Sequence, residues 1–575
     1  MAESTQPTPN LSTSTDSQQP LAGGSANQPL LPPHPALAVA DLKNIQGDVI
    51  VGLPKKAQKF FFFTIADVDT FRKRLVSVIP LITTCLQTYE NRQAIRKRPR
   101  KEDRLHMSGV NIAFSWRGLQ KIDKDLFQGG ASKDPQLFEK GMRATRQSLR
   151  DNPDNWDPKN WELFDPALDK KQGFDVAPDG AGQIDGVFNI AGEEGPRVES
   201  EWAKVAATLG DSINQAFVLN GAVRKGPEAG HEHFGYMDGI SQPFILGTED
   251  LLGPSLPGQG EVEPGVILLG RKGDKIESQG PSPAADLPEQ ERFAWQKDGT
   301  FMAFRYLRQK VPEFDNFLAR AASVDPRVSK DLLGARMVGR WKSGAPLDIA
   351  PFQDDRSLAA NKDENNNFQF EDNDSITSNP HSRCPFAAHI RKTRPRKDLD
   401  PKFMDFERVL RRGIPYGPGL DPKGSESKVS KADRGLLFVS YQSHLSRGFE
   451  LMQKTWANNP DFIFRKDPNP GLDPIIGQSH ADPTETDVTK QGAKLRQSTG
   501  LFSANAKDGT NEKDETTGVA GFKLGDKGAP KDADGTDKDE LGEEQGEAKH
   551  EWVESRGGEY FFVPSLSSLL QYIAL

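Results

Sequence analysis

The sequence predicts an α+β protein of two domains related in build, each an antiparallel sheet with helices packed on it. Three observations lead there. A strand-like run, a helix-period run and further strand-like runs occur in that order in the first half of the chain and again in the second. The 575 residues leave room, at roughly 150 per domain, for two large domains with insertions. No stretch comes near the roughly 18 consecutive apolar residues of a membrane-spanning helix.

Residues 1–40 are rich in Ser, Thr, Gln and Pro and too poor in large apolar groups to offset the entropy of ordering, so a disordered tail is expected. Lys59–Ala66 (KFFFFTIA) reads as a strand buried on both faces. Val68, Phe71, Leu75, Val78, Ile79 and Ile82 then recur on one helical face. Strands at Val110–Ser115, Gly186–Ala191 and near Ala216–Val223 complete a first domain over 41–225. In the second, 226–575, Gly299–Arg308 is a strand, and Phe314, Phe317, Leu318 and Ala321 share the face of a helix over Val311–Ala322. His389–Lys392 and Gly435–Tyr441 are expected as further strands, followed by a helix with Leu445, Phe449, Met452 and Trp456 on one side.

Between residues 506 and 551 there are 14 Asp and Glu against 7 Lys, nearly the whole net charge of −8. A block of this kind belongs in water. Because apolar character returns at Tyr560–Pro564 as a last strand, the segment is expected to be a disordered insertion. The negative balance argues against nucleic-acid binding, and two Cys exclude a disulfide scaffold or a Cys-rich metal site. The N-terminus has neither a basic nor an apolar signal region, which implies a cytoplasmic protein if Met1 is the native start.

Three clusters could carry chemistry. In His231-Glu232-His233-Phe234-Gly235-Tyr236-Met237-Asp238-Gly239, two glycines flank an Asp in a turn-forming run. His231, His233 and Asp238 could form a two-His, one-carboxylate metal site, or Asp238 could serve a structural turn. In Cys384-Pro385-Phe386-Ala387-Ala388-His389-Ile390-Arg391-Lys392-Thr393-Arg394-Pro395-Arg396, a single His precedes a dense set of cations. Its imidazole could ligate iron while the Arg residues pair with haem carboxylates, or it could be a core His beside a solvated basic face. Cys384 offers a competing thiolate, or a small core filler. In Val409-Leu410-Arg411-Arg412-Gly413-Ile414-Pro415-Tyr416-Gly417, apolar residues deliver two Arg to a turn, for a pocket or for a surface ion pair.

Taken together, the G-x-x-D-G at Gly235–Gly239, the A-A-H-I-R around His389 and the L-R-R-G-I-P-Y-G around Arg411 resemble the dye-decolourising peroxidases, the long fungal-type members above all. Asn44–Asp48, Gly339–Pro346, Gly471–Gly477 and Gly557–Phe562 extend the resemblance from about residue 41 to the end. It implies a pair of ferredoxin-like domains, of the dimeric α/β-barrel kind, enclosing one haem b per chain held mainly by the second. It further implies a peroxidase that reduces hydrogen peroxide through a high-valent iron–oxo state and oxidises phenols and bulky anthraquinone and azo dyes. By position, His389 would be the proximal iron ligand and Asp473 the acceptor for its other ring nitrogen. Asp238 would be the distal acid–base group and Arg411 the charge stabiliser beside it. Arg391 and Arg396 would meet the haem propionates, and Leu436 and Phe438 would wall the distal pocket. Some shorter members carry an Asn two residues after the Arg; here Gly413 stands there. Secretion, common among fungal members, is the alternative to a cytoplasmic location.

An unperturbed Asp has a pKa near 3.9, so turnover is expected to be best in acid, roughly pH 3–5. Bulky dyes cannot enter a pocket built for peroxide. Tyr416 and Trp456, both oxidisable, are the candidates for relaying their electrons inward; core packing is the other reading of each.

Overall fold

The computed structural model describes residues 30–31, 37–97, 107–127, 135–151, 184–276, 286–324, 328–370, 383–400, 404–420, 429–466, 469–478 and 551–574. Apart from Glu551, the acidic segment 506–551 lies outside them, as does the expected tail up to residue 29. The described end of that tail departs from expectation: Leu30 and Leu31 pair with Phe293 and Arg292, and a 3-10 turn spans Val39–Lys43. No helix among the described residues is long and apolar enough to cross a membrane.

In the first half, β1 (Ala57–Ile65), α1 (Val68–Val78), β2 (Ser108–Phe114), β3 (Gly186–Gly192), α2 (Gly195–Leu209) and β4 (Ile213–Ala222) form the unit, with further helices at Cys85–Lys97, Trp116–Ile122 and Pro135–Ala144 set between them. In the second come β5 (Thr300–Gln309), α3 (Val311–Val324), α4 (Lys330–Val338), α5 (His389–Thr393), β6 (Leu410–Arg411), β7 (Ile414–Tyr416), β8 (Gly435–Gln442) and β9 (Val553–Val563). The first sheet runs β4–β1–β3–β2. In the second, β8 lies between β6 and β7 on one edge and β5 on the other, and β9 lies beyond β5. Both have the strand order of a ferredoxin-like unit. Phe562 pairs with Phe114 and Tyr416 with Gly221, so the two sheets join at both edges and close into a barrel.

Side-chain alternation explains the closure. Phe60 and Phe62 of β1, Met302 and Phe304 of β5, Leu437, Val439 and Tyr441 of β8 and Phe561 of β9 fill the interior. Phe61, Phe63 and Ile65 point outward, onto Phe71, Leu75 and Val78 of α1 and Val205 of α2. The four consecutive Phe are thus buried on both faces, as their unbroken run predicts. Asp67 caps α1 by accepting a 2.6 Å bond from the Thr70 amide.

Three expectations are corrected. His389–Lys392 is not a strand but the first turn of α5, where the Arg391 and Lys392 amides donate to the Ala388 carbonyl at 2.8 and 2.9 Å. A four-residue run with one β-branched residue carries too little periodicity to separate the two. The residues from Leu410 to Tyr416, read as a turn, instead hold one unbroken register along β8, from Leu410 opposite Tyr441 to Tyr416 opposite Gly435. Pro415 is tolerated because this edge of the sheet is otherwise paired only at Tyr416. Finally, Leu451–Ala457 forms a π-helical turn, so Leu445, Phe449, Met452 and Trp456 do not share one face. Leu445 and Phe449 join the core outside the barrel, while Met452 packs with Trp456 in a separate cluster on Phe462.

Candidate active site

The outward residues of the second sheet open onto a cavity of about 290 Å³. Leu307 of β5 and Leu436 and Phe438 of β8 form one wall, alternating with the residues that fill the barrel. Leu436 and Phe438, the two residues of β8 expected at a pocket, thus both line this cavity. His389, Asp238, Arg411 and Arg396 line the same space.

His389 opens α5, where the buried run Cys384–Ala388 fixes the entry of the chain. Its Nδ1 lies 2.8 Å from Oδ2 of Asp473. The other oxygen of Asp473 accepts the amides of Ile475 and Ile476 at 2.8 and 3.1 Å, so the carboxylate is locked before it meets the ring. A carboxylate only accepts, so Nδ1 carries the proton and Nε2 is left to bind a metal. Burial disfavours charge on His389, but the Asp473 carboxylate outweighs it, and the net shift of its pKa is upward.

Asp238 sits in a loop tied from within. The Glu232 carboxylate accepts the amides of Phe234 and Tyr236 at 2.7 and 2.8 Å, and the Asp238 amide donates to the Gly230 carbonyl at 3.1 Å. Gly235 and Gly239 take φ values of +94° and +79°, a region that favours glycine. Arg411 is held by a double bond pair between its backbone and the Gln242 side chain, at 3.1 and 3.0 Å. Its Nη1 donates to Oδ1 of Asp238 at 2.8 Å, and the Gly239 amide donates to the same oxygen at 2.6 Å. Burial alone would raise the Asp238 pKa; Arg411 reverses this, holding the carboxyl below its ordinary value. Glu232 and Gln242 were missed in the sequence, since nothing in their spacing shows which polar groups a loop turns inward.

Arg391 does not reach the cavity wall. It is fully buried, forked onto Asp398 at 2.6 and 2.8 Å and bonded to the Cys384 carbonyl. Phe370 and Phe386 lie within 4.7 Å of its guanidinium carbon. The expected propionate contact is thus replaced by an internal ion pair. Tyr416 and Trp456 are both buried, and neither lines the cavity. The alternative metal set dissolves as well: His231 Nε2 meets the Lys342 carbonyl and His233 Nε2 the Tyr416 carbonyl, at 3.1 and 2.7 Å. Among the described residues no cluster of three His, Cys, Asp or Glu could hold a metal ion. Burial pushes the Cys384 thiol up to about 12, the wrong direction for a thiolate ligand.

Haem fits what remains. The cavity offers apolar walls, one imidazole nitrogen and a rim of Arg340, Arg394, Arg396 and Arg408. Nη1 of Arg394 and both terminal nitrogens of Arg408 are buried without a hydrogen-bond partner among the described residues. Buried donors of this kind call for an acceptor, and haem brings two carboxylates.

Comparison with known proteins agrees. The family model described as the DyP dimeric alpha+beta barrel domain matches residues 44–225, and that of the Dyp-type peroxidase C-terminal part matches 284–463. A dye-decolorizing peroxidase of Exidia glandulosa is 37% identical over 558 residues, covering 96% of this chain and 91% of that protein. AauDyP1 of Auricularia auricula-judae is 37% identical over 468 residues, 79% of this chain and 82% of its own. The solved structure of an ancestral D-type dye decolorizing peroxidase matches with a TM-score of 0.72 at 39% identity, over 93% of this chain and 99% of that one. A dye-decolorizing peroxidase solved with 2,6-dimethoxyphenol matches at 0.67 and 35%, over 93% and 99%. With the barrel, the His–Asp pair and the Asp–Arg pair on one cavity, these matches establish that the chain belongs to the dye-decolourising peroxidase family and is a peroxidase.

Proposed function

We propose that this peroxidase binds haem b through His389 and reduces hydrogen peroxide with Asp238 as the acid–base group and Arg411 as its electrostatic partner, oxidising phenols and bulky dyes in return. The observation that carries this reading is the convergence of His389, Asp238 and Arg411 on one cavity, close enough that each alters the charge preference of another. Haem, when bound, supplies the redox chemistry that accepts two oxidising equivalents from peroxide and passes them on.

The protein's own groups do the rest. Asp473 keeps the His389 ring in one orientation and makes it electron-rich. Among the described residues only Oδ1 of Asp238 is engaged, which leaves Oδ2 to take a proton from one peroxide oxygen and return it to the other. Arg411 keeps that carboxylate ionised and faces the negative charge that develops as the O–O bond lengthens. Arg396 is the one of the two expected propionate contacts that lines the cavity.

For bulky reductants, Tyr416 is a relay furnished for proton loss. Its hydroxyl donates to Asp433 at 3.0 Å, Tyr306 donates to the same carboxylate at 2.6 Å, and the two rings are 4.8 Å apart. Trp456 stacks on Phe462, which meets the half-exposed Phe464 at 5.7 Å. Replacing either Tyr416 or Trp456 with Phe should lower oxidation of a large dye while sparing a small phenol. Equal losses for both substrates would remove that residue as a relay.

The deciding experiment is an absorption spectrum of the purified protein before and after one equivalent of hydrogen peroxide. A haem band that changes promptly and returns on adding a dye is expected. Asp238→Asn should keep the band and slow its response about 10²–10⁴-fold, the usual contribution of a positioned acid–base group. His389→Ala should change the resting band itself. A wild-type band indifferent to peroxide would overturn the assignment.

A further inference from the structure

Six guanidinium groups line the cavity. Two face carboxylates directly: Arg305 forks onto Asp151 at 2.9 and 2.8 Å, and Arg411 holds Asp238. Arg340 and Arg396 give most of their donors to uncharged oxygens, those of Gly344, Asn365, Asn366 and Phe368. Arg394 and Arg408 are different. Among the described residues, Arg394 Nη1 and Arg408 Nη1 and Nη2 are buried and find no hydrogen-bond partner. The carboxylate near them is Asp405, 3.6 Å from Arg408 Nη2 and with a half-exposed side chain.

The two groups are neighbours. A side-chain carbon at Gly260 would sit 2.9 Å from Nη2 of Arg394 and 3.3 Å from Nη2 of Arg408. Only a glycine at 260 lets both guanidiniums pack this closely against the backbone, side by side at the edge of the cavity. Guanidinium does not give up its proton in proteins, so like charges side by side in a partly dry site need an anion between them. The planar forks suit a group with two or three equivalent oxygens.

We propose that Arg394 and Arg408 form a two-guanidinium clamp for a carboxylate or sulfonate at the edge of the cavity. The proposal rests on the haem reading above. One source of such an anion is a propionate of the bound haem; the other is the acid group of an anionic aromatic reductant. The clamp stands five and nineteen residues after His389, outside the Asp238–Arg411 pair that handles peroxide.

The test compares full-length wild type with Arg394→Gln/Arg408→Gln and, separately, with Gly260→Ala, which keeps both charges but presses a methyl group on both guanidiniums and shifts them. One arm follows haem transfer from the holoprotein to excess apomyoglobin. The other measures benzenesulfonate binding to the resting holoprotein by calorimetry, at low and high NaCl. Haem transfer faster by tenfold or more in both variants, with benzenesulfonate affinity unchanged, supports the clamp with a propionate as the anion. Unchanged transfer with a tenfold loss of benzenesulfonate affinity, and of its salt dependence, supports the clamp with a reductant as the anion. Both quantities unchanged in a folded double variant overturn it. Should the double variant not fold, Gly260→Ala alone decides by the same two readings. A wild-type chain that holds no haem sinks the haem reading instead, and benzenesulfonate binding to that chain then judges the clamp by itself.

Discussion

Asp238 is under two opposing influences. Burial favours its neutral acid, while the Arg411 guanidinium at 2.8 Å favours the carboxylate and prevails. The lowered pKa keeps the proton-accepting form populated further into acid, in keeping with the acid optimum expected from an ordinary Asp. The base is lost only as pH falls through that lowered value. Arg411→Gln removes the stabilising charge and leaves burial to act, so the acid limb of the peroxide rate constant should move to higher pH as its amplitude falls. Stopped-flow measurements across pH would show this, and an unmoved limb would dissociate Arg411 from the Asp238 titration. At this scale much of the site was legible. Asp238, His389, Arg411 and Asp473 lie in short runs whose order along the chain is distinctive, and the structure joins them in two pairs. Arg391 was misjudged for a physical reason. In a run with Arg at 391, 394 and 396, composition cannot show which guanidinium faces the cavity, and Asp398, seven residues on, captures Arg391.

The elements decide which side chains reach the cavity. Along β6, β7 and β8 the register puts Leu410, Ile414, Tyr416, Leu437 and Val439 in the barrel core. It leaves Arg411, Leu436 and Phe438 on the cavity side. Gly413 lies on that same side, two residues after Arg411, where shorter relatives are expected to carry an Asn. There is no room for one: a side-chain carbon at 413 would lie 2.9 Å from the Leu437 carbonyl oxygen and 3.4 Å from the Phe438 Cα. Gly413→Asn should therefore destabilise the protein by about 1–3 kcal/mol, the usual cost of overpacking, and slow the peroxide reaction by displacing Arg411. Thermal melting together with the peroxide rate would separate the two effects; a gain in rate without loss of stability would refute the steric account. This strand hid from sequence reading because Gly413 and Pro415 mark turns far more often than strands. The long apolar runs of β1, β5 and β8 were legible because their period and length admit few other structures. The helix carrying Met452 and Trp456 was found but its faces were not, since a π turn leaves no mark in the spacing of apolar residues.

Across the whole molecule, the barrel makes the cavity in the second half depend on packing in the first. The sheets touch through one paired residue on each side, Phe562 with Phe114 and Tyr416 with Gly221. Two further ties reinforce the first joint: the Gln46 side chain bonds both the Ile112 backbone and the Pro564 carbonyl, at 2.8–2.9 Å. That contact gives a physical reason for the N-I-Q-G-D run, which the sequence offered only as a likeness. The stronger link is the shared interior. Phe62 of the first half has its ring centre 5.3 Å from Phe304 and 6.2 Å from Phe561 of the second, and it is fully buried. Leu437 and Val439 occupy the same core, and the residues alternating with them on β8 form the cavity wall. If the two halves are one cooperative unit, Phe62→Ala should cost about 3–5 kcal/mol, as a buried Phe does when no neighbour collapses into its space. Haem release should then coincide with a single calorimetric transition lowered as a whole, although Phe62 is remote from the cavity-lining residues in sequence. Two transitions, with haem held through the first, would show instead that the second half keeps its site without the first.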